Sequence, residues 1–166
     1  MATTAVSNIH FEEKDFSVST FENSMLWCFR GEVSVHRVRH AQPLHRQLAR
    51  RYPQGFAVCT IIGEEVPLSM PADARALSAA VTKEFQPSYC ALCEVIVGTG
   101  FRASVVRSIT GSFRLLARAS CPSKVFAETG PCSAWMAPLM SKAIGAEIDG
   151  VALRAALDRV QRGPSF

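Results

Sequence analysis

Charge is scarce in this chain, and so are long apolar runs. Charged residues make up 19% of the 166 positions against 48% apolar ones, with a mean hydropathy of +0.13. That balance excludes an intrinsically disordered chain, which needs low hydropathy and high net charge. The longest nearly unbroken apolar stretch is Phe56-Ala57-Val58-Cys59-Thr60-Ile61-Ile62. It falls far short of the ~20 residues that a membrane helix requires, so no stable membrane insertion is expected. The opening Met1 to Asp15 has neither a basic nor an apolar region of the kind that marks a secretory signal. Catalytic signatures are missing as well: there is no G-x-S-x-G elbow and no glycine-rich phosphate loop ending in Lys-Ser/Thr.

What remains is enough for one ordinary domain with a substantial core. We expect a flexible extension over 1–15, a single domain over 16–162 and a short tail over 163–166. Six cysteines without a signal peptide read as reduced thiols in a cytoplasmic protein. Net charge is +4, but it is uneven. Between Arg30 and Gln54 six arginines (Arg30, Arg37, Arg39, Arg46, Arg50, Arg51) face one acid, Glu32, which makes this segment +5.

Periodicity orders the elements. Phe16 to Phe21 and Met25 to Phe29 read as a strand pair around a Glu22-Asn23-Ser24 turn. Ser34 can cap a helix running to Tyr52, kinked at Pro43. Phe56 to Ile62 reads as a buried strand, Ala72 to Phe85 as a helix and Ala91 to Val97 as a further strand. Phe101, Val105, Ile109, Phe113 and Leu116 recur at helical spacing, Lys124 to Ala127 makes a short strand, and helices close the chain over 131–140 and 151–160. The expectation is an α/β fold: a mixed, mostly parallel sheet of about five strands packed with about five helices. Its core should include Phe29, Val58, Ile61, Val95, Val97, Val105, Ile109, Phe113, Phe126 and Trp135.

The chemistry-bearing residues are sparse. Cys90-x-x-Cys93 lacks the second close pair of a zinc ribbon and leads into a strand, where residues three apart point to opposite faces. His36 and His40 lie four apart among arginines, without the Glu of H-E-x-x-H, and read as surface histidines on a basic helix. Glu64-Glu65 follows a strand as a solvated loop pair. No catalytic residue, metal ligand set or cofactor is expected. The arginine segment lacks interleaved aromatics, so its Arg46, Arg50 and Arg51 suit an acidic protein surface and not nucleic acid. Gly98-Thr99-Gly100 joins a buried strand to an amphipathic helix, where backbone N–H groups backed by Arg102 and Arg107 favour an anion or a partner.

This order of elements, with Gly31-Glu32-Val33 after the second strand and Lys124-Val125-Phe126-Ala127 leading to Ala134-Trp135-Met136, resembles the STAS-like domains, in particular the SpoIIAA-like (STAS/SEC14) branch. The likeness covers roughly 16–139. It implies a bacterial, non-catalytic regulatory module that works by protein–protein interaction. Antagonists of anti-sigma factors in that family carry Asp-Ser-Ser/Thr-Gly before the corresponding helix, with a phosphorylated serine. Here Gly98-Thr99-Gly100 stands in that place, so the resemblance makes Thr99 the loop hydroxyl for any phosphorylation. Relatives of the SEC14 type bind lipids, which makes a carrier of a small apolar ligand the alternative.

Overall fold

Two apolar runs separated by only two residues must turn tightly, and they do. In the structure, a computed structural model describing residues 7–100, 102–107 and 120–165, β2 (Phe16–Phe21) and β3 (Ser24–Phe29) pair antiparallel around Glu22-Asn23. Glu22 takes a left-handed φ of 47°, and the Ser24 hydroxyl donates to the Phe21 carbonyl at 2.6 Å. Asn23, fully buried, donates from Nδ2 to the carbonyls of Gly55 and Met140.

Ahead of the hairpin lies β1 (Asn8–Glu13), antiparallel to β2, where a mobile extension was expected. The difference has an electrostatic cause. Arg159 grips Glu12 with both nitrogens at 2.7 and 3.1 Å, and Arg37 reaches Glu13 at 2.6 Å. The Arg159 guanidinium holds the Glu12 carboxyl below the usual carboxylate range. Arg30 binds the carbonyls of Glu13, Lys14 and Val160 together with the Ser17 hydroxyl.

The remaining strands, β4 (Phe56–Ile62), β5 (Tyr89–Ile96) and β6 (Ser123–Phe126), follow parallel to β3 and to one another. The six strands form one sheet in chain order, β1-β2-β3-β4-β5-β6. This is the expected α/β fold with a mixed, mostly parallel sheet, one strand larger than foreseen.

Right-handed connections between successive parallel strands place their helices on one face. Accordingly α1 (Val35–Val38), α2 (Ala41–Arg51) and α3 (Ala72–Phe85) share a core with Met25, Phe29, Phe56 and Val58. On the other face α5 (Thr129–Ile144) and α6 (Gly150–Arg162) pack against Leu26, Cys28, Ala57, Cys59, Ile61, Ala91, Cys93 and Val95. Between β5 and β6 the helix α4 is described over 102–107. Period-two alternation sorts the side chains of β3 and β4 between the two cores, and β4, covered on both faces, is apolar except for Thr60, whose hydroxyl accepts from the Trp27 indole N–H.

Ser34 does cap a helix, accepting from the Arg37 N–H, but α1 ends after one turn and α2 begins anew at Ala41. Pro43 therefore stands in the first turn of α2, where its missing N–H costs nothing. Of the expected core, Phe29, Val58, Ile61, Val95 and Phe126 are buried, while Val97, Val105 and Trp135 are half-buried. Ile109, Phe113 and Leu116, along with Phe101, lie outside the described residues. Gly145 closes α5 at φ +67°, its N–H bonded to the Ser141 carbonyl, and Asp149 caps α6 through the N–H groups of Val151 and Ala152. No described helix is long and apolar enough to cross a membrane.

Candidate interaction surface at the strand ends

Parallel strands deliver their C-terminal loops to one edge of the sheet, the edge where ligands of open α/β sheets bind. The Val97 N–H bonds the Ile62 carbonyl at 2.9 Å, so the loop after β5 lies beside the loop after β4. Glu64 packs so closely on Gly98 that a Cβ there would sit 3.0 Å from its Oε1, and Gly98 has φ +103°. The positive φ is what demands glycine, since the exposed Glu64 side chain could move aside for a Cβ. Thr99 and Gly100 are exposed, and Arg102 is half-buried at the start of α4. The Gly100 carbonyl accepts from the Ser104 N–H and hydroxyl, which fixes that first turn.

Arg107 does not reinforce an anion site, contrary to expectation. Its guanidinium donates to the carbonyls of Ile96 and Gly98 and so ties α4 back onto the loop. The opposite rim is the loop after β6. Residues 97–99 and 127–130, with Arg154 and Gln161 of α6, line an open cleft of about 370 Å³. Thr129 donates its hydroxyl to Asp158, and the Arg154 guanidinium lies over Gly130, 3.4 Å from where a Cβ would stand. Glu64, Glu128 and Asp158 slightly outnumber Arg102 and Arg154 on this edge, so it presents mixed charge with the exposed Thr99 at its rim. Such an arrangement can exchange hydrogen bonds with a partner's backbone and polar side chains.

The arginine segment divides. Arg30 and Arg37 turn inward onto the carbonyls and carboxylates described above, so they do not belong to a solvated basic face. Pro43, Arg46, Gln47, Arg50 and Arg51 line a second open groove, of about 580 Å³, on the outer face of α2. Arg46 stands 3.9 Å from Glu84, and Arg51 lies over the Tyr52 ring at 5.4 Å.

The histidines divide too. His45 is no surface residue: it is 2% exposed among Phe56, Phe85 and Tyr89, with Nδ1 bonded to the Ala41 carbonyl at 2.7 Å. Burial drives its pKa down to about 4. His40 stacks on Phe11 at 4.1 Å, and burial lowers its pKa as well.

All six cysteines are free thiols. Cys90 and Cys93 do not face opposite ways, because the register slips between Phe56–Tyr89 and Ala57–Ala91 and skips Cys90. This bulge turns both cysteines toward the α5–α6 core. The chain matches no protein-family model and no curated protein.

Proposed function

We propose that this protein is a non-catalytic regulatory module of STAS-like type that engages a protein partner through the strand-end surface around Thr99. The observation that carries this reading is the convergence of the loops after β4, β5 and β6 on one edge, with Thr99 exposed between two glycines at its rim. The loop is tied down by Arg107 through the Ile96 and Gly98 carbonyls and by the Val97 N–H on the Ile62 carbonyl, so it offers its backbone in a fixed shape at little ordering cost. The outer face of α2, with Arg46, Arg50 and Arg51, is the second contact region and suits an acidic partner.

Native mass spectrometry of the protein purified from its own host tests the reading. A stoichiometric protein partner is expected, and Thr99→Glu should weaken its binding while lowering Tm by no more than ~4 °C, the scale of about 1 kcal/mol. A co-purifying lipid of defined mass without any protein would establish an apolar-ligand carrier instead. If binding survives Thr99→Glu combined with Arg102→Ala, the surface lies elsewhere, with α2 the next region to test.

A further inference from the structure

We propose that Cys59, Cys93 and Cys132, together with Met136, form a binding site for a single copper(I) ion. Three elements supply the sulfurs: Cys59 lies on β4, Cys93 on β5, and Cys132 and Met136 on α5. The three Sγ atoms all lie within 4.8 Å of one another, with Cys93–Cys132 at 3.5 Å and Cys59–Cys132 at 3.8 Å. Met136 Sδ is 3.3 Å from Cys93 Sγ. Metal–thiolate bonds of about 2.3 Å place sulfurs roughly 3.8 Å apart in a tetrahedral site and roughly 4.0 Å apart in a trigonal one. The Cys93–Cys132, Cys59–Cys132 and Cys93–Met136 edges then need to open by no more than about half an ångström for a tetrahedral site.

The donor set decides the ion. Thiolates with a thioether select soft metals. Structural zinc is held by four Cys, His or carboxylate ligands. Among the described residues no histidine or carboxylate joins these three cysteines. A thioether as fourth donor therefore favours copper(I) over zinc. All four sulfurs are buried, which shields a bound copper(I) from water and oxidants. Cys132 stands in the first turn of α5, where the positive helix end favours a thiolate. As copper(I) binds, each coordinating thiol releases its proton to solvent and no electron is transferred.

The test is an anaerobic titration of the full-length reduced protein with copper(I) against a copper(I)-selective chromophoric chelator. One copper per chain is expected, with thiolate-to-copper ultraviolet absorption and a shell of sulfur neighbours by X-ray absorption. Cys132→Ala should weaken binding at least a hundredfold, and Met136→Leu should keep one copper per chain but weaken it about tenfold. Because a core variant can fail to fold, the complementary triple variant Cys28→Ala, Cys90→Ala, Cys121→Ala keeps the cluster and must still take up one copper. Loss of uptake in a folded triple variant, undiminished uptake by Cys132→Ala, or displacement by equimolar zinc would each overturn the proposal.

Discussion

Acidification should destabilise this protein through His45. The ring is sealed among Phe56, Phe85 and Tyr89, and burial lowers its pKa to about 4 from an ordinary 6.5. Folded chains therefore bind fewer protons at this site than unfolded ones. The stability it confers is complete above about pH 6.5, falls as pH drops from there, and is gone below about pH 4. At about 1.4 kcal/mol per pH unit the whole interval amounts to about 3 kcal/mol, of which about 2 kcal/mol is lost between pH 8 and pH 5. Urea unfolding at pH 8, 6 and 5 measures this directly, provided the m-value stays constant. His45→Leu keeps an apolar group of similar size in the cage and removes the titration. Its loss between pH 8 and pH 5 should be smaller than the parent's by about 2 kcal/mol. His10 and His40, whose pKa values burial also lowers, act in the same direction and persist in the variant. Equal losses in parent and variant would refute the reasoning.

Two further substitutions probe how the sheet is held together. Arg30→Lys exchanges a fork that serves three carbonyls and a hydroxyl for a point charge, and should cost about 2 kcal/mol in urea unfolding; a change within about 0.5 kcal/mol would show those bonds to be dispensable. Glu22→Gly relieves the left-handed φ of 47° in the β2–β3 turn and should raise stability by about 0.5–1 kcal/mol, read as a Tm increase of roughly 1–4 °C, whereas a lower Tm would count against strain at that turn.

Much of the fold was legible because its signals are local. The nearly unbroken apolar run from Phe56 to Ile62 announces a strand covered on both faces, and β4 is that strand. The helix expected over Ala72 to Phe85 is α3, residue for residue. What stayed hidden depends on partners far along the chain. Glu12 and Glu13 look like a solvated tail until Arg159 and Arg37 arrive, the first of them 147 residues away. Arg30 reads as surface charge because its acceptors are backbone carbonyls, which no side-chain pattern reveals. The bulge at Cys90 reverses a facing that strict alternation predicts. The sulfur cluster has no spacing signature, since 34, 39 and 73 residues separate its cysteines. Gly98 was visible as a loop glycine, but the φ of +103° that makes it obligatory is set by how the loop after β5 is held against its neighbours.

The clasp between the first strand and the last helix has a bearing on how the chain matures. α6 covers β2 and β3, Val160 lends its carbonyl to Arg30, and Arg159 holds Glu12. A nascent chain emerging from the ribosome makes its opening hairpin early, yet the apolar side of that hairpin has no cover until α6 has been synthesised. β1 likewise has no anchoring guanidinium from α6 before then. Until α6 is made, the side of β2 and β3 that it covers stays open, and its arrival closes β1 to β3 into one unit through Arg159 and the Val160 carbonyl.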